Sequence, residues 1–336
     1  MSKEMHGGRR RFIFVVALFV GAWVLPSLPI FAAPFQPGQI FIAYGSNNIG
    51  VFADTVSLAG TQVQTLSVSP SSFTMETTLS GGGGIALDEQ GNLYVTVQNF
   101  EGTMNRRGII KIDRNGNVAW KADSGGTLDY RGIVASSSSD RVFVATEGGA
   151  GRQGIHVYRA SNGEKLTTEF FGGTLAFRDL AFDKNGNLYG LRHNEIKRWM
   201  AGNFSGEGIS LFSVPPEDPR AIMIDEDGNI YITFEDTKVI RKYSPTGTLL
   251  ATYSTPAGTG SLIGLDYDPG VQKLFASHTG SIGQILALDL KTGSWTAFGP
   301  NNLSGVRWLA VYPTPEPTIA ILLAAGWLFL RRRSRR

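Results

Sequence analysis

The sequence predicts an all-β chain closed into a six-bladed β-propeller of four-stranded blades, with the C-terminal strand pairing with the N-terminal strands. Three observations predict it. A short alternating segment recurs six times, its starts 42–48 residues apart. A second segment, with an aromatic residue at its third position, also occurs six times. The two series are out of phase by one member, so only a closed ring gives every blade both segments.

In chain order, "QIFIAY" (39–44) opens the body as a second-type segment with no first-type segment before it. Five consecutive pairs follow: "GGIALD" (83–88) with "NLYVTV" (92–97), "RGIVAS" (131–136) with "RVFVAT" (141–146), "RDLAFD" (178–183) with "NLYGLR" (187–192), "RAIMID" (220–225) with "NIYITF" (229–234), and "IGLDYD" (263–268) with "KLFASH" (273–278). "RWLAVY" (307–312) ends the series without a successor, so it is expected to join 39–69 in one blade. Apolar residues at the third and fifth positions of the first series give the period of two that a strand needs. Third strands are read in "GIIKID" (108–113), "GIHVYR" (154–159), "VIRKYS" (239–244) and "QILALD" (284–289), and fourth strands in "NVAWKA" (117–122) and "TLLATY" (248–253). Closure also removes the open sheet edges that invite aggregation.

"DEQGN" (88–92), "DKNGN" (183–187) and "DEDGN" (225–229) read as hairpin turns, the aspartate bonding local backbone and the glycine taking positive φ. They are too short for calcium loops and lack the distal bidentate glutamate. The aromatics at equivalent positions, Phe41, Tyr94, Phe143, Tyr189, Tyr231 and Phe275, are expected to pack between blades rather than stack on carbohydrate. The recurring pattern R-x-I-x-x-D-x-x-G-N-I-Y resembles NHL-type repeats and the wider six-bladed group that includes SMP-30/gluconolactonase-like proteins. The resemblance covers roughly residues 81–312 and implies the propeller, but little about activity, since the architecture hosts binders and enzymes alike.

The ends read differently from the body. Nine of the 31 basic residues and two of the 28 acidic ones lie in them, leaving 22 basic against 26 acidic residues in between. A mildly acidic body gives nucleic-acid binding no support. Residues 1–32 have the basic start, apolar stretch (Phe12 to Val24) and small residues of a secretory signal, with cleavage expected after Ala32. An uncleaved anchor is the alternative. "RRRFI" resembles a twin-arginine export motif, while the strongly apolar stretch after it fits the general secretory route better.

Residues 314–336 hold Pro315-Glu316-Pro317, an apolar run and an arginine cluster that includes Arg331, Arg332 and Arg333. Thr318 to Leu330 as a helix would span about 20 Å, at ~1.5 Å per residue, against a hydrocarbon core of about 30 Å. It is therefore a short transmembrane helix, with the basic end cytoplasmic. The three parts in this order resemble the PEP-CTERM sorting signal. That resemblance implies recognition by an exosortase after passage through the secretion machinery, removal of the tail near Pro-Glu-Pro, and delivery to the cell surface or extracellular matrix. A permanent tail anchor is the alternative. Residues 33–313 are left as the propeller.

Candidate site residues gather at one end of the strands. Arg131, Arg178, Arg220 and Arg307 stand at four of six equivalent first-strand entrances, expected around the channel mouth. There they would either fork onto carboxylate or phosphate groups of a ligand, or pair with acids of neighbouring blades and lock the ring. Glu147, His193, Glu235 and His278 fall at or near the loops of the same face, where a His/Glu group is one route to a divalent metal. Their spacing does not support it, and no metal or cofactor is expected. His156 is expected on one side of a third strand. Loops 99–107 and 147–153 are the longest of their class.

With no cysteine, disulfides, thiolate metal sites and cysteine nucleophiles are excluded. No nucleophile elbow or paired catalytic carboxylates appear, and the "GGGG" at 81–84 precedes a strand rather than the helix a phosphate cradle needs. In lactonase relatives the resemblance implies calcium held partly by an acid near a first-strand entrance, where this chain has arginine or apolar residues. The expectation is an exported, non-enzymatic binding or scaffold protein, its partners exopolysaccharide or surface proteins. The alternative is a secreted metal-dependent hydrolase or lyase.

Overall fold

The computed structural model describes residues 34–314 except 45–47, 54, 57–59, 68–73, 76–83, 100–106, 124–128, 148–152, 167–175, 280–282 and 304–305. The expected signal with Ala32, the sorting tail (Pro315, Glu316, Pro317, Arg331, Arg332, Arg333) and most of loops 99–107 and 147–153 lie outside the described residues. Among the described residues, no helix is long and apolar enough to cross a membrane.

The chain is an all-β six-bladed propeller. Blade 1 contains β1 (Ile40–Tyr44), β2 (Asn48–Ala53) and β3 (Thr61–Ser67). Blade 2 contains β4 (Thr74–Met75), β5 (Ile85–Leu87), β6 (Leu93–Asn99), β7 (Gly108–Ile112) and β8 (Val118–Asp123), with β4 and β5 both paired to β6. Blade 3 has β9 (Asp129–Ser136), β10 (Arg141–Glu147) and β11 (Gly154–Tyr158), with a single bridge from Tyr158 to Lys165 beyond them. Blade 4 runs β12 (Asp179–Phe182), β13 (Leu188–Arg192), β14 (Glu195–Trp199) and β15 (Ile209–Ser213). Blade 5 runs β16 (Pro219–Ile224), β17 (Ile230–Phe234), β18 (Val239–Tyr243) and β19 (Leu249–Ser254). Blade 6 runs β20 (Ser261–Asp268), β21 (Lys273–Thr279), β22 (Gly283–Asp289) and β23 (Trp295–Leu303). The last strand, β24 (Leu309–Val311), pairs antiparallel with β1, matching Ile40 to Val311, Phe41 to Ala310 and Ile42 to Leu309. It supplies the innermost strand of blade 1 and closes the ring.

Alternation explains where the core sits. Successive side chains of a strand point to opposite faces of its sheet, so each blade feeds two interfaces. The buried apolar residues accordingly form six layers, one between each pair of neighbouring blades. Each aromatic of the second-strand series lies in a different layer: Phe41, Tyr94, Phe143, Tyr189, Tyr231 and Phe275. This is inter-blade packing, as their repetition predicts.

The tyrosines and phenylalanines of that series differ for a local reason. Each tyrosine follows a D-x-x-G-N turn, and its hydroxyl donates to the turn aspartate: Tyr94 to Asp88 at 2.9 Å, Tyr189 to Asp183 at 3.3 Å and Tyr231 to Asp225 at 3.2 Å. The same aspartate accepts the backbone N–H groups two and four residues on, as Asp225 does from Asp227 at 3.0 Å and Asn229 at 2.8 Å. Gly228 takes φ 80° to complete that turn. Phe41, Phe143 and Phe275 follow turns without this motif, where a buried hydroxyl would lack the acceptor.

Candidate functional site

The first-strand entrances and the second-to-third-strand turns share one face, as the registers Glu147 to Asp129 and Phe234 to Pro219 require. Three of the four predicted arginines form one continuous chain of ion pairs there. Arg131 meets Glu147 at 2.6 Å, Arg178 reaches Glu147 at 3.8 Å and also Asp218, and Arg220 meets Asp218 at 2.7 Å and also Glu235. Among the described residues the chain crosses blades 3, 4 and 5 through three arginines and three carboxylates. Burial pushes the Asp218 carboxyl up, but the Arg178 and Arg220 guanidiniums outweigh this and hold it below the usual carboxylate range. The Arg307 carbonyl accepts from the Ser277 hydroxyl.

The predicted histidines and glutamates are not brought together. Glu147 and Glu235 are spent on arginines, and His193 is exposed on the β13–β14 turn at φ 48°. His278 is buried, its Nδ1 accepting from the Gly260 N–H at 3.3 Å. His156 lies buried on β11 beside Tyr130, ring centroids 6.1 Å apart. Among the described residues, no three His, Asp or Glu side chains gather as a metal-binding group.

A different site emerges at the centre. A channel of about 890 Å³ is lined by the six innermost strands and opens on the opposite face, among the first-to-second-strand turns. None of Arg131, Arg178, Arg220, Arg307, Glu147, His193, Glu235 and His278 lines it. The four arginines thus stand at the opposite end of the strands from this opening. At the arginine end the inner strands crowd: a Cβ on Gly132 would sit 2.7 Å from the Asp179 Cα, so only glycine fits there.

The walls are aliphatic, with Ile85, Ile133, Leu180, Ile222, Leu265 and Leu309 at equivalent positions. Two carboxyl groups interrupt them. Asp179 accepts from the Ile222 N–H at 2.9 Å, and Asp266 accepts from the Val311 N–H at 2.7 Å and the Tyr267 N–H at 2.8 Å. Each thus stitches its blade to the next. Burial pushes both up to about 7, against the hydrogen bonds that lower them; Asp266 adds to the rise of Asp179, and Asp268 to that of Asp266.

The sequence reading missed both. Their signal was available: an acid stands at the second position of "RDLAFD" and the fourth of "IGLDYD", where other copies carry small or apolar residues.

A pH dependence follows. With folded values near 7 against an ordinary 3.8, these carboxyls keep protons in the native state that the unfolded chain has released. Their contribution to stability is full below the unfolded value and is lost as pH rises through the folded one. Urea unfolding is expected to show stability falling between pH 5 and 8, on the order of 2 kcal/mol per carboxyl. Asp179→Asn with Asp266→Asn should flatten that fall, and an unchanged slope would refute the assignment.

No protein-family model matches the chain, and no curated protein does. Solved structures do. A protein of unknown function from Bacteroides caccae, 12% identical, matches 82% of this chain and 98% of its own with a TM-score of 0.59. A streptogramin B lyase, 18% identical, matches 66% of this chain and 69% of its own at a TM-score of 0.45. A virginiamycin B lyase from Staphylococcus aureus, 12% identical, matches 82% and 93% at 0.47. The likeness to the Bacteroides caccae protein shows a shared fold, and neither lyase likeness is close enough to bear on chemistry.

Proposed function

We propose that this chain is an exported binding protein rather than an enzyme, taking a small ligand into its central channel at the cell surface or in the extracellular matrix. One observation carries the binding reading: a channel of about 890 Å³ with aliphatic walls and two inward carboxyl groups, a large apolar cavity with few convergent polar groups. The export half rests on sequence alone, on the signal ending at Ala32 and on the resemblance of Pro315 to Arg336 to an exosortase substrate. In transit the tail holds the chain in the inner membrane, and exopolysaccharide or surface proteins are the partners the address suggests. The metal-dependent hydrolase or lyase reading has less support, since Glu147 and Glu235 are already committed to arginines.

Protein purified from its native host tests both halves. Its intact mass is expected to place the N-terminus at Ala33 and the C-terminus near Pro315, and an unprocessed full-length mass would sink the sorting reading. A thermal-shift screen against small amines, acids and alcohols is expected to yield a compound that raises the melting temperature of the native protein. That effect should vanish when Ser139→Trp and Ala201→Trp, both exposed at the channel mouth, narrow the opening. Stabilisation that survives in the narrowed variant would place binding elsewhere. Stoichiometric metal lost in His278→Ala would revive the enzyme alternative.

A further inference from the structure

The channel has a charge that the ion-paired face lacks. Asp88, Glu89, Asp179, Asp183, Glu226 and Asp266 line it against a single cation, Lys184. Asp88 and Asp183 are occupied by their turns. Glu89 is held at the mouth by Ser136 and Ser137, at 2.8 and 2.7 Å. Asp179 and Asp266 differ: they sit deep among aliphatic side chains, accept from backbone N–H groups and form no ion pair among the described residues. A carboxylate with two oxygens has about four acceptor positions, so both retain capacity for further donors. Trp308, 8% exposed, lines the same channel, and its indole N–H meets no acceptor among the described residues. A buried donor left without a partner marks a place where an acceptor atom of a ligand completes the bonding, a bond that an ammonium, itself only a donor, does not supply.

We infer that the channel takes a small organic cation, a protonated amine on a largely apolar body, with the ammonium paired by Asp179 and Asp266, the body lying on the aliphatic walls and an acceptor atom of that body meeting the Trp308 N–H. This rests on the channel being the binding site, as proposed above. The other charged groups lining the channel, Lys184 apart, are also acids, so the field favours cation entry and disfavours anions. An apolar body without charge would leave the inward carboxyls unmatched, and an anion would meet them directly. Because burial holds both carboxyls near 7, a bound ammonium draws them into the charged form, and binding strengthens as pH rises.

Calorimetric titration with three isosteric probes separates the possibilities: phenethylamine, 2-phenylethanol and phenylacetate. The amine is expected to bind at least about ten-fold tighter than either of the others, and to tighten between pH 5.5 and 8. Asp179→Asn and Asp266→Asn, singly and together, should erase most of that preference while each variant still melts in one cooperative transition. Should a single variant fail to fold, the other and the pH series still decide. Amine binding that is no tighter than alcohol binding, or a preference that persists in the double variant, overturns the inference. Binding of the alcohol or the acid that is lost on narrowing the mouth would overturn the cation inference yet leave the channel as the site. Binding indifferent to the narrowed mouth would overturn both.

Discussion

Asp268→Ala is expected to be among the most damaging single substitutions in the ring, costing about 3–5 kcal/mol. Asp268 is fully buried at the end of β20 and gathers four donors with one carboxylate. The Thr55 hydroxyl donates at 2.7 Å, the Gly270 N–H at 3.1 Å, and Thr314 donates through both its N–H at 3.0 Å and its hydroxyl at 2.7 Å. Thr55 follows β2 and Thr314 follows β24, so one side chain of blade 6 holds both the β2–β3 connection and the outgoing end of β24 in blade 1. Alanine leaves the buried Thr55 hydroxyl without its partner, takes the acceptor from the part-buried Gly270 and Thr314 donors, and opens a void beside them. Asn keeps one acceptor oxygen and should lose less, about 1–2 kcal/mol. Urea unfolding of the two variants measures this directly. A loss below about 1 kcal/mol for alanine would mean that the donors find other acceptors and that the closure does not depend on this carboxylate.

The second large effect is expected at Asp218. It bridges Arg178 of blade 4 and Arg220 of its own blade, with side chains 18–26% exposed. Asp218→Ala removes the carboxylate that two guanidiniums share in partly dry surroundings, and the cost should be about 2–3 kcal/mol, less than for a fully buried pair because water reaches these groups. Arg220 retains Glu235 and Arg178 retains Glu147, so the loss is shared along the chain rather than localised. A double-mutant cycle of Asp218→Ala with Arg178→Ala is expected to show strong coupling. Strict additivity would mean that the two residues act independently and that the belt is not a unit.

The fold was legible because a repeat exposes itself by recurrence. The inner two strands of each blade are buried on both faces, so the ring's geometry dictates their apolar and aromatic positions and every copy repeats them. Outer strands were harder. β15, with the sequence ISLFS, and β3, with TQVQTLS, are half-exposed edges whose side chains need satisfy only one neighbour, and neither shows the buried apolar run that β16 does. The third strand β14, EIKRW, was missed because charged side chains interrupt its apolar positions, Lys197 folding over to Ser210 at 3.2 Å and Glu195 at 3.8 Å.

The site was less legible than the fold. Arg131, Arg178 and Arg220 were visible by recurrence, yet what satisfies them is not: Asp218 lies outside every repeat segment, and only the folded ring brings it between two arginines. Asp179 and Asp266 depart from the consensus of their series, and departure from a repeat is where chemistry specific to one chain appears.

The pairing of β24 with β1 has a mechanical consequence. Ile40 faces Val311, and beyond them the Gly38 N–H donates to the Tyr312 carbonyl at 2.7 Å, so the incoming and outgoing chain leave side by side from one pole of the ring. A pull that separates the two ends would peel these hydrogen bonds one after another instead of loading them all at once. Thr314 stands first in the path of such a pull, and its grip on Asp268 is the knot that must slip before the peeling starts.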